Sequence, residues 1–243
     1  MALFGLIGYT LEHSFSKLYF EEKFRSEGLP HRFELFPLQR IEWLPELVMQ
    51  HPELRGLAVT IPYKQSVISY LQETDERAQS AGAVNCIQIG EVWRGFNTDT
   101  IGFEQSLQPL LRKDITSALV LGSGGAAAAV QFVLQQKGIR CVMVSRKKIP
   151  GYITYEEVTP EIMQSCLLTV NCTPLGMFPD TLSFPVLPYH SITAQHVVYD
   201  LVYNPANTGL MQLAQAQGAV VKNGLDMLYL QAEANWEIWK KGL

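Results

Sequence analysis

Gly122-Ser123-Gly124-Gly125-Ala126-Ala127 follows the apolar run Ala118-Leu119-Val120-Leu121 and opens an alanine-rich segment. This is the order of strand, tight turn and helix that dinucleotide binding requires. The first glycine permits the turn, Gly124 lets backbone approach a pyrophosphate at a helix N-terminus, and Ala127 lets helix and strand pack closely. A nicotinamide dinucleotide is the expected ligand. The next strand, Cys141-Val142-Met143-Val144, ends in Ser145-Arg146-Lys147-Lys148. An acidic residue at that point favours a free ribose 2′-hydroxyl, and a basic one favours a 2′-phosphate. A guanidinium can hold phosphate with two hydrogen bonds while lysines add charge and Ser145 adds a hydroxyl, so NADP is expected over NAD.

A second group of chemically able residues lies upstream. Ala58-Val59-Thr60-Ile61-Pro62-Tyr63-Lys64 reads as a strand running into proline and then a lysine at or near a helix start. The positive end of a helix dipole disfavours a further cation and a nearby carboxylate favours it, so the two together would poise the ammonium for proton transfer. A solvated lysine on a first helical turn is the plainer alternative. Gly82-Ala83-Val84-Asn85 and Gly95-Phe96-Asn97-Thr98-Asp99 place an amide and a carboxylate at opposite ends of an expected hairpin region. His13-Ser14-Phe15-Ser16 sets two hydroxyls at a loop-to-helix junction.

Such side chains need elements to hold them. Short apolar runs alternate with helical patterns almost throughout, the mark of α/β construction. Leu3 to Ile7 reads as a strand, and Phe20 and Phe24 share a face of a helix ending near Gly28 and Pro30. Arg32 to Phe36 alternates as a strand, Ile41 to Met49 is helical around Pro45, and Leu57 to Thr60 is a third strand. Val84 to Ile89 and Val92 to Phe96, separated by Gly90-Glu91, make a hairpin. The second half repeats strand and helix through Ala118 to Leu121, Ala126 to Gln136, Arg140 to Val144, Leu167 to Val170, Val197 to Leu201, Leu210 to Ala216 and Ala219 to Val221. A parallel sheet is expected there. A last helix, Leu225 to Trp239, places Leu225, Leu228, Ala232, Trp236 and Trp239 along one side as core.

A chain of 243 residues that is 47% hydrophobic has room for two modest domains. Its formal charge of -4, with basic residues scattered apart from Arg146-Lys147-Lys148, gives no broad footprint for nucleic acid or an anionic membrane. The expected partner is a small molecule, and the chain is expected to act as a monomer or a homodimer. The first residues lack a basic leader, and no stretch reaches the roughly 18 apolar residues of a membrane span, which points to the cytoplasm. Cys86, Cys141, Cys166 and Cys172 form no C-x-x-C pair and read as buried reduced thiols. His13, His31, His51, His190 and His196 have no ligand spacing and read as surface or turn histidines, so no metal is expected.

Taken in chain order, these motifs resemble the shikimate dehydrogenase family, enzymes that reduce 3-dehydroshikimate to shikimate with NADPH on the route to chorismate and the aromatic amino acids. The resemblance runs through nearly the whole chain. It covers the Gly8 region with Ser14 and Ser16, Val59-Thr60 with Lys64, Gly82 to Asn85, Asn97-Thr98-Asp99 and the glycine loop. It continues through Asn171-Cys172-Thr173-Pro174-Leu175-Gly176-Met177, Asp200-Leu201-Val202-Tyr203-Asn204-Pro205, and Gly224-Leu225 to Gln231. It implies an α/β protein with an N-terminal α/β substrate domain, residues 1–100 completed by the helix 224–243. A Rossmann-like, doubly wound NADP-binding domain would span 101–223, with the active site in the cleft between them.

The resemblance also implies roles. Ser14 and Ser16 would bind the substrate carboxylate. Thr60, Asn85, Asp99 and Gln231 would bind ring hydroxyls, with Tyr203 closing the site from the cofactor domain. Lys64 and Asp99 would be the proton-transfer pair, the lysine donating to the ketone oxygen and the carboxylate orienting and recharging it. Gly122, Ser123, Gly124, Gly125 and Ala126 would hold the pyrophosphate. Ser145, Arg146 and Lys147 stand where the family commonly has N-R-T, and Leu201 and Gly224 correspond to backbone positions near the nicotinamide. Three departures stand out. Ala58 replaces the asparagine usual before Val-Thr, Cys86 replaces a common threonine, and Ile149-Pro150-Gly151 breaks a helix usual after the second nucleotide-domain strand, so that flank is expected to be trimmed. The rival readings are a quinate/shikimate dehydrogenase with relaxed cofactor use and a noncatalytic NADP-binding sensor; the presence of Lys64 and Asp99 argues against the sensor.

Overall fold

The first strand, β1 (Leu3–Gly8), is buried at all six residues, as a parallel strand covered on both faces must be. The computed structural model to which it belongs describes residues 1–11 and 14–243, so His13 lies outside the described residues. After β1 come α1 (Phe15–Ser26), β2 (Arg32–Pro37), α2 (Leu44–Gln50), β3 (Leu54–Val59), the two-residue β4 (Glu73–Thr74), α3 (Glu76–Ala81), β5 (Cys86–Gln88) and β6 (Arg94–Phe96). These strands form one mixed sheet in the order β2-β1-β3-β5-β6-β4. β1 runs parallel to β2 and β3, and β5 runs antiparallel to β3 and to β6, the expected hairpin.

Two apolar layers cover this sheet. Phe20 and Phe24 of α1, with Trp236 and Trp239, pack on Phe4, Phe33 and Ala58. Leu44, Val67 and Ala78 pack on Ile7, Phe36 and Leu57 from the other side. Side-chain direction alternates along a strand, so Phe33 and Phe36 enter different layers, and β2 is exposed only at its two ends.

The second sheet is wholly parallel. α4 (Thr98–Leu107) leads to β7 (Ser117–Leu121), α5 (Gly125–Gln136), β8 (Arg140–Val144), α6 (Pro160–Ser165), β9 (Leu168–Asn171), β10 (Val197–Asp200), α7 (Gly209–Ala216) and β11 (Val220–Asn223), and α8 (Leu225–Trp239) follows. The strand order is β11-β10-β9-β7-β8. Ala118 and Val120 of β7 join a layer with Phe103, Val130 and Met227, while Leu119 and Leu121 join one with Met163, Leu210 and Ala214. The strand order reverses at β7, with β8 on one side and β9 on the other. Open α/β sheets bind ligands at the carboxyl ends of strands beside such a reversal.

Between β8 and α6 the chain builds no strand. Ile153 makes a single parallel bridge to Val144, and a one-turn 3-10 helix, Tyr155–Glu157, with a Thr154–Glu157 capping box, carries the chain to the six-residue α6. Met1–Ile101 with Gln231–Leu243 form one compact unit and Gly102–Leu230 a second, the boundaries falling inside α4 and α8.

Three sequence expectations need correction. Leu225 is 38% exposed because the first turn of α8 packs through Met227, on the opposite side of that turn; Ala232, Trp236 and Trp239 are buried as expected. His196 is buried rather than at the surface. Its Nδ1 accepts from Thr193 N at 3.0 Å, so Nε2 carries the hydrogen and donates to the Met163 carbonyl at 3.1 Å, and a ring satisfied at both nitrogens can leave water. All four cysteines are free, but only Cys86 and Cys166 are fully buried, Cys141 and Cys172 partly so. Burial pushes the Cys86 and Cys172 thiols well up, so both stay protonated and weakly reactive. Among the described residues no helix is long and apolar enough to cross a membrane, and no group of three or more His, Cys, Asp or Glu side chains could hold a metal ion.

Candidate active site

Thr60 extends β3 by one residue, its N–H donating to the Ile7 carbonyl at 2.9 Å. Residues 61–65 then turn, and Lys64 stands near a helix start as the sequence suggests, the helix being the five-residue 3-10 helix Ser66–Tyr70. The Lys64 carbonyl accepts the Val84 N–H at 2.7 Å and is engaged away from the amide four residues on that an α-helix would use. A carboxylate, not a helix dipole, faces the ammonium: Lys64 Nζ donates to Asp99 Oδ2 at 2.5 Å, with the two side chains 18% and 8% exposed.

The hairpin explains how Asp99 comes to be there. Cys86 pairs with Phe96 across β5 and β6, so the residue before β5 and those after β6 meet at one end of the ladder. Asn85 donates from Nδ2 to Asp99 Oδ1 at 2.8 Å, and its Oδ1 accepts the Thr98 N–H at 2.7 Å. Asn97 is spent on structure: its Nδ2 donates to the Ala83 carbonyl, and its Oδ1 accepts the Thr100 N–H. Both carboxylate oxygens of Asp99 are therefore engaged, one by the amide and one by the ammonium.

The network continues into the last helix. Thr98 Oγ1 donates to Asn235 Oδ1 at 2.6 Å, and Asn235 Nδ2 donates to Gln231 Oε1 at 3.4 Å. The sequence singles out Gln231, gives Thr98 no role of its own within the Asn97-Thr98-Asp99 motif, and leaves Asn235 unnamed. The available signal was an asparagine four residues beyond Gln231, on a face otherwise formed by Ala232, Trp236 and Trp239. Ser14 precedes α1 as its N-cap without capping it, and its Oγ is buried with no hydrogen-bond partner among the described residues. Ser16, in the first turn of α1, and Thr60 are half-buried. A surface groove of about 570 Å³ between α1 and β2 is lined by Lys17, Glu21, Arg25 and Arg32 and contains none of these groups.

In the second unit the glycine loop leaves β7 at the reversal point. Gly122 has φ of 120°, and a side chain there would press on the Cys172 carbonyl. Gly124 is the N-cap of the twelve-residue α5, and a Cβ added to it would enter open space. Ser123 and Gly124 are exposed, Gly125 and Ala126 half-exposed, and Ala127 fully buried. At the end of β8, Arg146, Lys147 and Lys148 are exposed, whereas Ser145 is buried with its Oγ accepting the Lys147 N–H at 3.2 Å.

The two downstream motifs knit strand ends. Asn171 donates from Nδ2 to Asp200 Oδ1 at 2.9 Å and accepts the Thr173 N–H, while Asp200 accepts from Val202 N and Thr208 Oγ1. Burial pushes the Asp200 carboxyl up, and these hydrogen bonds pull it back. Gly224 lies so close to the Leu201 main chain that no side chain fits. Tyr203 is half-buried, and burial raises its phenol, which stays protonated as a donor.

The chain is similar to known proteins along nearly its whole length. The family described as the shikimate dehydrogenase substrate binding domain matches residues 6–87. A shikimate dehydrogenase (NADP(+)) of Methanococcus maripaludis is 34% identical over 259 residues, covering 98% of this chain and 91% of that one. The shikimate 5-dehydrogenase of Thermus thermophilus, solved in complex with NADP(H) and shikimate, superposes with a TM-score of 0.87 at 31% identity, covering 100% of this chain and 94% of that one. The quinate dehydrogenase of Corynebacterium glutamicum, solved with NAD, superposes with a TM-score of 0.86 at 25% identity over the same shares. With its α/β construction, its glycine loop at a parallel-sheet reversal and a relative this similar along nearly its full length, the chain belongs to the shikimate dehydrogenase family.

Proposed function

We propose that the protein reduces 3-dehydroshikimate to shikimate with NADPH, a cytoplasmic step on the route to chorismate and the aromatic amino acids. The observation that carries the proposal is the Lys64–Asp99–Asn85 arrangement, a mostly buried ammonium with a carboxylate that is itself held by an amide. When bound, the reduced nicotinamide supplies the hydride for the ketone carbon. Lys64 Nζ holds the proton that the ketone oxygen takes as it becomes a hydroxyl, and Asp99 Oδ2 orients the ammonium and helps recharge it afterwards. Ser14 and Ser16 are assigned to the substrate carboxylate, a role that suits the unpartnered Ser14 hydroxyl. Thr60, Asn85, Asp99 and Gln231 are assigned to the ring hydroxyls, and Tyr203 is assigned to the substrate as well.

The second unit suits the dinucleotide. Gly122 to Ala126 offer backbone donors at the N-terminus of α5, and the open space at Gly124 leaves room for a pyrophosphate. Ser145, Arg146 and Lys147 are assigned to the 2′-phosphate, and the backbone at Leu201 and Gly224 to the nicotinamide. Arg146→Ala is expected to raise the KM for NADPH roughly 10- to 100-fold, the worth of one or two hydrogen bonds to a charged group, and to change the KM for NADH less than about twofold. Equal losses with both cofactors would remove the assignment.

The reading is tested by oxidation of shikimate and of quinate, each with NADP+ and with NAD+, followed by absorbance of the reduced cofactor. A kcat/KM that is highest for shikimate with NADP+ supports it. Comparable turnover of quinate with NAD+ would favour a broader dehydrogenase, like the similar Corynebacterium enzyme. Silence with all four pairs, despite NADPH binding, would favour a sensor.

A further inference from the structure

We propose that Asn235 is a positioning residue of the active site, setting the orientation of the Gln231 amide and coupling it through Thr98 and Asn85 to the Lys64–Asp99 pair. The proposal rests on the reading of Gln231 and Asp99 as substrate-binding groups.

Asn85 Oδ1 accepts the Thr98 N–H at 2.7 Å, which turns its Nδ2 onto Asp99. The Thr98 hydroxyl has one hydrogen and two acceptors in reach, Asn235 Oδ1 at 2.6 Å and Asn85 Oδ1 at 3.1 Å. The shorter contact, and the amide hydrogen already on Asn85 Oδ1, direct that hydrogen to Asn235. With its oxygen held as acceptor, Asn235 presents Nδ2 to Gln231 Oε1. Gln231 is thereby fixed with its oxygen as acceptor and its Nε2 as the donor end.

Thr98 is 0% and Asn235 1% exposed, and the two ends of the Asn235 amide are turned to Thr98 and Gln231, so the role assigned to Asn235 is exerted on a ligand through Gln231. Its surroundings on α8 are apolar, and a buried amide there costs stability unless both its ends are bonded. The two bonds it makes run to Thr98, at the start of α4, and to Gln231.

Asn235→Leu tests the idea in a fold that should tolerate it. Leucine is of similar size, suits the apolar face, and leaves the Thr98 hydroxyl its second acceptor on Asn85. The expected result is a KM for shikimate raised about tenfold, the worth of one net hydrogen bond, with the KM for NADP+ and the Tm little changed. In a Gln231→Ala background the same substitution should add less than about twofold, because its effect passes through the missing side chain. Thr98→Val should give the same KM shift and the same non-additivity, and serves if Asn235→Leu folds poorly. An equal effect of Asn235→Leu in both backgrounds, or a lowered Tm with an unchanged KM, would overturn the positioning role. If Gln231→Ala alone leaves the KM for shikimate unchanged, the assignment of Gln231 fails first and takes this role with it.

Discussion

Lys64→Ala is expected to lower turnover by roughly 10²- to 10⁴-fold, the usual worth of a positioned proton donor, while leaving the KM for NADPH within a few-fold of the native value. In the proposed reaction the alcohol oxygen of the product gains a proton, and the donor proposed for it is Lys64 Nζ, 2.5 Å from Asp99 Oδ2. Lys64→Arg should not rescue the loss, since a guanidinium keeps its charge but does not yield its proton. A pair that acts as one unit is strongly non-additive, so Lys64→Ala with Asp99→Asn should be little slower than Lys64→Ala alone. Steady-state rates of the three variants decide the point. Near-native turnover of Lys64→Ala would remove the mechanism.

Trp239→Ala is the second large effect, on stability rather than on chemistry. The indole is fully buried, its Nε1 donates to the Ile87 carbonyl at 2.9 Å, and the ring stacks on Phe4 at 5.1 Å with Phe20 at 5.2 Å beside it. It lies over Gly56, where a Cβ would overlap the indole. Truncation should cost about 3–5 kcal/mol, lowering Tm on the order of 10 °C in a thermal unfolding scan. Trp239→Phe keeps most of the ring and loses the N–H bond, so its cost should be about 1 kcal/mol. Because the same segment of α8 carries Gln231 and Asn235, Trp239→Ala should also raise the KM for shikimate. An unchanged Tm would mean that the helix is held by something else.

The parts of this fold legible in the sequence are those fixed by local pattern. α8 runs from Leu225 to Trp239 as its apolar spacing indicates, and the glycine-bearing turn at Gly90-Glu91 announces the antiparallel pair β5 and β6. Buried apolar runs separated by helices predict the parallel sheet of the second unit. What the sequence hides is settled by distant partners. The helix start expected near Lys64 is a short 3-10 helix from Ser66, and Val84, twenty residues away, takes the Lys64 carbonyl, a pairing that no local pattern announces. His196 reads as a turn residue, and only the Met163 carbonyl lets its ring be buried.

The candidate site divides in the same way. Lys64, Asn85 and Asp99 stand out as residue types able to move and hold a proton, but a hairpin ladder is needed to bring an amide and a carboxylate fourteen residues apart to 2.8 Å. Asn235 looks like one polar residue on an apolar helix until Thr98 is seen to face it. Ser145 reads as a donor beside Arg146; it is buried, its Oγ accepts the Lys147 N–H with its own hydrogen left to donate, and the exposed positive charge comes from Arg146, Lys147 and Lys148.

The most direct measurement is the absorbance of NADPH on mixing the purified protein with 3-dehydroshikimate. Rapid loss of absorbance, abolished by Lys64→Ala and not reproduced with NADH at equal concentration, is the predicted result. A flat trace from protein that binds NADPH would contradict the account.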